Sequence, residues 1–150
     1  MEETQPTVSD FMNADAISVF PWDTIEKAYD LILDRNLRAL LVLDEDEKLV
    51  GIVSERDIVR YRTRNILPKH AEYYINVSDL MTENVNTFSP QTSLREACEK
   101  FVETGNNQIP VTNEDGTVAG IVAQRDLLKF FSENLDELLG INIEWERNYD

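Results

Sequence analysis

The sequence is short of the residues from which disulfide-bonded, membrane-spanning and metal-binding proteins are built. It has one cysteine, Cys98, and one histidine, His70, so no internal disulfide can form, and a reducing cytoplasmic location is expected. No run of about 18 apolar residues is present, so we expect no membrane span, and the acidic N-terminus is unlike a secretory signal. The sequence also lacks a metal-ligand set, a nucleophile elbow and a phosphate-binding glycine loop. We therefore expect no metal site, no catalytic residue and no enzymatic activity.

Basic residues are scarce as well. The chain has 14 Lys and Arg against 29 Asp and Glu, which gives a formal net charge of −15. Such a surface repels nucleic-acid backbones and anionic lipid, so neither is an expected partner. The charge is uneven, with −5 on residues 1–69 and −10 on residues 70–150. The first half is therefore expected to tolerate a phosphate-bearing ligand better.

What the sequence does contain is an internal repeat. Val8-Ser9-Asp10-Phe11-Met12 returns as Val77-Ser78-Asp79-Leu80-Met81, and Gly51-Ile52-Val53-Ser54-Glu55-Arg56-Asp57 returns as Gly120-Ile121-Val122-Ala123-Gln124-Arg125-Asp126. The offset is 69 residues, and 14 of the 54 paired positions are identical when 8–61 is aligned with 77–130 without a gap. Apolar content of 42% is sufficient for a packed core.

Each copy has the pattern of a β-α-β-β-α unit. Short extended segments at 16–19 and 85–88 precede helices whose apolar residues recur at i, i+3, i+4 and i+7. Capping-box spacing starts these helices at Asp23 with Glu26 and at Ser93 with Glu96, and Asn36 and Gly105 are suited to end them. Strands at 39–43 and 108–112 enter hairpins, and the second hairpin strands (50–53, 119–122) lead into closing helices, with Gly51 and Gly120 expected as turn glycines. Residues 62–76 are expected to extend the first closing helix through Arg62 and Arg64 and then link the copies; 131–150 are predicted to form an amphipathic tail.

The two signatures, repeated in one register, resemble a tandem pair of cystathionine-β-synthase (CBS) domains, with repeats at 8–61 and 77–130. The resemblance implies an α+β fold in which two β-α-β-β-α repeats pack about a pseudo-twofold axis. It also implies two clefts between the repeats, in which many family members bind AMP, ADP, ATP or S-adenosylmethionine.

The family's Gly-x-x-Ser/Thr-x-x-Asp motif implies ribose and phosphate contacts at Ser54 and Asp57, and at Asp126 in the second copy. Ala123 departs from that motif, because it replaces the hydroxyl. Arg56 and Arg125 lie in the first helical turn, where an arginine is unfavourable for the helix dipole unless an anion compensates. The resemblance implies that adenine is read by the backbone of the first extended segments, at Ile17, Ser18, Val19, Asn86, Thr87 and Phe88. It implies further contacts before and on the middle strands, at Arg38, Ile109 and Pro110.

A purely structural interpretation of the same motif stays open. Ser54 and Asp57 have the spacing of a capping box, and a cap of about 1 kcal/mol would explain the first copy. Ala123 cannot cap, so reciprocal capping does not explain Asp126, although an acid in a first helical turn is favourable by itself. The acidic stretch 44–47 is interpreted as a solvated hairpin tip rather than a cation site. Cys98 is expected in the core and His70 in solvent.

The sequence therefore predicts a regulatory module that senses an adenosine nucleotide, with Asp57 as the better of two sites. The module is expected to need no cofactor, to bind an adenine nucleotide, to form a homodimer and to act on an unidentified regulated protein. The alternative is a ligand-free CBS-pair scaffold that acts through protein–protein contacts, which Ala123 and the acidity favour.

Overall fold

The computed structural model describes residues 5–64 and 75–134, which form two copies of one α+β unit. The first copy contains β1 (Ser18–Val19), α1 (Ile25–Asp34), β2 (Ala39–Leu43), β3 (Leu49–Ser54) and α2 (Glu55–Arg64). The second contains α3 (Leu94–Thr104), β4 (Gln108–Thr112), β5 (Val118–Ala123) and α4 (Gln124–Glu133). A short 3₁₀ turn opens each copy, at Val8–Asp10 and Val77–Asp79. The predicted extension of the first closing helix through Arg62 and Arg64 is confirmed.

The sheets follow from the predicted hairpins. Strand β2 pairs antiparallel with β3 and parallel with β1, and β4 pairs antiparallel with β5. The segment predicted as a strand at 85–88 is shorter than expected, because only Phe88 bridges to Val111. The turns at 44–47 and 113–116 contain Glu47 and Gly116 in the left-handed conformation, with φ of 62° and 89°.

The helix ends were predicted in part. Asn36 and Gly105 have φ of 52° and 69°, as expected for left-handed caps. The Ser93 hydroxyl accepts a hydrogen bond from the Glu96 N–H at 3.1 Å, as predicted. The cap of α1, however, is Thr24 and not Asp23. Asp23 instead accepts from the Phe20 N–H at 2.7 Å, so its carboxylate fixes the preceding turn. The sequence repeat could have identified Thr24 as the cap, because Thr24, and not Asp23, is the residue equivalent to Ser93.

The two hydrophobic cores do not coincide with the two sequence repeats, because the opening segments are exchanged. Val8 is buried in the core of the second copy, and Ile75, Val77 and Leu80 are buried in the core of the first. The exchange is held by backbone hydrogen bonds. The Val8 N–H donates to the Thr92 carbonyl, and the Val77 N–H donates to the Asp23 carbonyl, both at 2.8 Å. Each copy therefore needs the other to complete its core.

Reciprocal contacts define the predicted pseudo-twofold relationship between the repeats. Asn13 bridges to Ile121 and Thr82 bridges to Ile52, and each contact becomes the other when residue numbers are shifted by 69. Lys48 bridges to Thr117, its own equivalent, so this bridge lies on the axis.

Gly51 and Gly120 are not turn glycines. Both are buried within strands, and their φ angles are not positive. A Cβ on Gly51 would lie 2.8 Å from Met81 Sδ, and one on Gly120 would lie 2.7 Å from the Asn13 carbonyl oxygen. The glycine of each closing signature therefore accommodates the opening segment of the opposite repeat.

Several predictions fall outside the described residues: the linker between 65 and 74, with His70, and the tail from 135 to 150. Within the described ranges, no helix is both long and apolar enough to cross a membrane.

Candidate functional site

A cleft of about 1430 Å³ lies between the repeats and is lined by residues of both. We call it the Asp126 cleft. The first repeat contributes the segment before β1 and the residues that enter β2, while the second contributes the end of β5 and the first turn of α4. The lining relevant to binding is Asp15, Ala16, Ile17, Arg38, Ala39, Glu55, Gln108, Ala123, Arg125 and Asp126.

Asp126 presents a carboxylate that is only partly used by the protein. Its Oδ2 accepts a hydrogen bond from the Ala123 N–H at 2.7 Å, which satisfies one free amide at the start of α4. The expectation that reciprocal capping leaves Asp126 unexplained is therefore wrong, since half of the capping box survives without a hydroxyl. No hydrogen bond to Asp126 Oδ1 is found in the described part of the chain. That oxygen is available to a donor in the cleft.

Asp57 is bonded more completely. Its Oδ2 accepts from both the N–H and the hydroxyl of Ser54, each at 2.9 Å, and its Oδ1 accepts from the Thr82 hydroxyl at 3.3 Å. The Asp57 N–H in turn donates to Ser54 Oγ at 3.1 Å, so the capping box is complete. Asp57 is not among the residues that line the Asp126 cleft. Among the described residues, Asp126 therefore has more free hydrogen-bonding capacity than Asp57. The sequence had favoured Asp57 as the ligand contact.

The cleft brings together predicted contact residues from opposite repeats. Arg38 and Ile17 of the first repeat share the cleft with Arg125 and Asp126 of the second. From the sequence, basic residues were expected near Asp57, because most Lys and Arg residues lie in the first half of the chain, as Asp57 does. In the structure, Arg38 instead lines the same cleft as the aspartate of the opposite repeat.

The other predicted contacts are dispersed. The side chains of Val19, Ile109 and Pro110 are buried in the core, which leaves only the backbone of these residues for a ligand contact, as predicted for Val19. Thr87 and Phe88 line a separate cleft of about 420 Å³ together with the turn after β4. Ser18, Asn86 and Arg56 are exposed and are absent from the lining of both clefts.

The Asp126 cleft also includes polar residues beyond the main predicted set. Gln108 is the most informative, because its Oε1 is buried without a hydrogen-bond partner in the described part of the chain. The sequence indicated this position, since the family resemblance implies polar residues just before the middle strands, and Asn107 and Gln108 precede Ile109. Asp15 and Glu55 also line the cleft and were not indicated. Glu55 could not be found from the sequence, because only the fold brings the first turn of α2 to this cleft.

Charge and burial give the cleft its chemical character. The lining includes three acidic residues, Asp15, Glu55 and Asp126, and two arginines, Arg38 and Arg125, so it carries a formal charge of −1. Cys98, expected in the core, is half-buried and lines the same cleft. Burial raises the pKa of its thiol, and the neighbouring Glu99 charge adds to the effect. Within the described ranges, no group of three or more His, Cys, Asp or Glu side chains could hold a metal ion.

Two β-α-β-β-α repeats with exchanged opening segments and an aspartate at the start of each closing helix define a class of paired domains, and comparison with known proteins gives its name. The family model described as CBS domain matches residues 8–64 and 77–133. The chain belongs to the CBS domain family.

Individual relatives extend this result. The chain is 30% identical over 128 residues to an uncharacterized 33.4 kDa protein of Thermofilum pendens, with 85% of this chain and 40% of that protein covered. A solved structure of CBSX2 in complex with AMP is 27% identical, with a TM-score of 0.74 over 85% of this chain and 96% of that one. The CBS domain pair of MJ0100, solved with 5′-methylthioadenosine and S-adenosyl-L-methionine, is 25% identical, with a TM-score of 0.74 over 84% and 99%. These neighbours support a ligand-binding regulatory module.

Proposed function

We propose that this chain is a regulatory module that binds an adenosine ligand in the Asp126 cleft. The observation that carries the proposal is the Asp126 carboxylate, which lines the cleft and has one oxygen bonded to the Ala123 N–H, while the other has no hydrogen bond among the described residues. A ribose hydroxyl is a suitable donor for that oxygen. CBSX2 and MJ0100, to which the chain is similar, were solved with adenosine-containing ligands.

The remaining lining supplies plausible contacts for the rest of such a ligand. Arg38 and Arg125 are positioned to pair with a phosphate or carboxylate group. Gln108 Oε1 lacks a donor, and the exocyclic amine of adenine could provide one.

Charge narrows the ligand class further. A lining with a formal charge of −1, in a chain of net charge −15, disfavours a polyphosphate. We therefore expect AMP, or S-adenosylmethionine with its net positive charge, to bind more tightly than ADP, and ADP more tightly than ATP. No covalent step is implied, and the module is not expected to be an enzyme.

The mechanism we infer is a population shift. A ligand that contacts Ile17 and Arg38 of one repeat and Asp126 of the other favours the relative orientation in which all three contacts are made. An unidentified regulated protein would respond to that orientation.

Self-association is the second part of the proposal. Each of the helices α1 to α4 exposes one large apolar residue, and these residues form two pairs related by the 69-residue shift: Leu33 with Val102, and Val59 with Leu128. Their exposed fractions run from 64% to 86%. Equivalent apolar residues on both repeats suit a symmetric homodimer formed through the helices. They also favour the rival function, a ligand-free scaffold in a cytoplasmic assembly.

The experiment that separates the two functions is a series of thermal melts with millimolar AMP, ADP, ATP, S-adenosylmethionine and 5′-methylthioadenosine. Ligand binding to the folded state raises the melting temperature by mass action. A rise with at least one compound, largest for those of low negative charge, supports the sensor. Absence of any rise across the panel supports the scaffold.

A further inference from the structure

The corner of the molecule where β1 and β2 end carries an exposed aromatic pair. Phe20 and Trp22 are stacked, with ring centroids 4.8 Å apart and ring planes within 5° of parallel. They are nevertheless 41% and 52% exposed to solvent. The turn that presents them is fixed, because the Phe20 N–H donates to Asp23 and the Pro21 carbonyl accepts from the Ser78 N–H at 2.9 Å.

The fold does not need these aromatic rings. The equivalent turn of the second repeat has Ser89 and Gln91 at the same two positions. It makes the same kind of backbone anchor, in which the Pro90 carbonyl accepts from the Ser9 N–H at 3.2 Å. The second repeat thus builds the same turn with polar residues, so the aromatic pair is an addition specific to the first repeat.

The neighbouring hairpin turn is specialised in the first repeat as well. Strands β1 and β2 are parallel, with Val19 opposite Val42, so the turns that follow them leave the sheet at the same end. The equivalent turns of the second repeat line one cleft together. The turn after β2 has four consecutive acids, Asp44-Glu45-Asp46-Glu47, where the second repeat has Asn113-Glu114-Asp115-Gly116. Asp44 holds the turn through the Asp46 and Lys48 N–H groups, whereas residues 45–47 are exposed.

We propose that the Phe20–Trp22 pair and the acidic turn at 44–47 together form a docking surface for an arginine-bearing segment of a partner protein. A guanidinium group stacks on the face of an aromatic ring while its charge is attracted to nearby carboxylates. Arginine is favoured over lysine because its planar group stacks on the indole as well as pairing with acids. This surface is distinct from the Asp126 cleft, since none of its residues lines that cleft.

The test uses the intrinsic fluorescence of Trp22. A Trp145→Phe background removes the second tryptophan of the chain. A short glycine–arginine peptide is titrated at physiological salt, against glycine–lysine and glycine–glutamate peptides of equal length. The matched variant is Phe20→Ser/Trp22→Gln, which installs the residues of the second repeat and is followed by a labelled peptide.

We expect the arginine peptide to change Trp22 emission and to bind more tightly than the lysine peptide, with no binding of the glutamate peptide. The double variant should melt cooperatively and bind the arginine peptide about tenfold more weakly. Adding Ser89→Phe/Gln91→Trp to the double variant should not recover the lost affinity, because the hairpin turn of the second repeat is less acidic. Unchanged affinity in the double variant, or equal binding of the arginine and lysine peptides, overturns the proposal. A shift of the double variant toward the monomer in solution, without loss of peptide binding, also overturns it and assigns the pair to contact with a second copy.

Discussion

The Thr82 hydroxyl donates to Asp57 Oδ1 at 3.3 Å, and so joins the opening segment of the second repeat to the closing helix of the first. The same segment bridges to β3, where the N–H and carbonyl of Thr82 pair with those of Ile52 at 2.8 and 3.1 Å. The equivalent of Thr82 in the other repeat is Asn13, whose side-chain oxygen accepts from the Asp15 N–H instead. This difference makes the first aspartate part of the contact between repeats and leaves one oxygen of the second open.

Removal of the Thr82 hydroxyl should weaken this contact. Thr82→Val is expected to lower the free energy of unfolding by about 0.5–1 kcal/mol, the usual net contribution of one hydrogen bond. Urea unfolding measures this loss, with Ser132→Ala as the control because that hydroxyl donates within its own helix, to the Lys129 carbonyl. In a double-mutant cycle with Asp57→Ala the two losses should not add. Fully additive losses would show that the two side chains do not interact.

Exchange of the capping residue between repeats gives a second prediction. Ser54→Ala removes the hydroxyl that accepts from the Asp57 N–H and should cost about 1 kcal/mol of unfolding free energy. Ala123→Ser supplies the missing hydroxyl to α4 and should stabilise the chain by a similar amount. Both are measured by urea unfolding, and a destabilising Ala123→Ser would contradict the description of α4 as half-capped.

The buried glycines should be intolerant of a side chain. Gly120→Ala is expected to lower the free energy of unfolding by about 1–3 kcal/mol. Its Cβ would meet the Asn13 carbonyl oxygen, which belongs to the backbone and cannot rotate away. Gly51→Ala meets mainly the flexible Met81 side chain, and Met81→Ala should relieve part of its cost. Equal costs for Gly51→Ala with and without Met81→Ala would count against the observed contact.

Cys98 offers a reporter of the cleft. Because burial and the Glu99 charge raise its thiol pKa, less thiolate is present at a given pH. Alkylation of Cys98 by iodoacetamide should therefore be slower in the folded protein than in the urea-unfolded chain. The pH at which the alkylation rate rises should also be higher for the folded protein. Saturating AMP should slow it further, since Cys98 lines the Asp126 cleft. A rate unaffected by AMP that demonstrably binds would place the ligand elsewhere.

The fold was largely predictable because its information is local and repeated. Period-2 and period-3.6 patterns gave the strands and helices, and the 69-residue offset gave the pairing of the repeats. Two features could not be obtained in this way. The exchange of opening segments depends on contacts between residues far apart in sequence, such as Val8 with Thr92. The strand glycines were interpreted as turn residues because close approach of another backbone leaves no local pattern.

The candidate site was predictable by residue type but not by combination. Asp126, Arg125, Arg38 and Ile17 were all named from the sequence, and the structure brings them to one cleft. Their association with one another, rather than with Asp57, follows from the packing of the two repeats. The sequence-based preference for Asp57 relied on the Ser54 hydroxyl, which in the structure hydrogen-bonds with the carboxylate and the N–H of Asp57.

The most direct test of the account compares Asp126→Ala with Asp57→Ala in thermal melts, with AMP and S-adenosylmethionine added separately. We expect Asp126→Ala to abolish most of the ligand-induced rise in melting temperature. Asp57→Ala should lower the melting temperature of the free protein and preserve the rise. Loss of the rise in Asp57→Ala, together with its survival in Asp126→Ala, would contradict the assignment of the adenosine site to the Asp126 cleft.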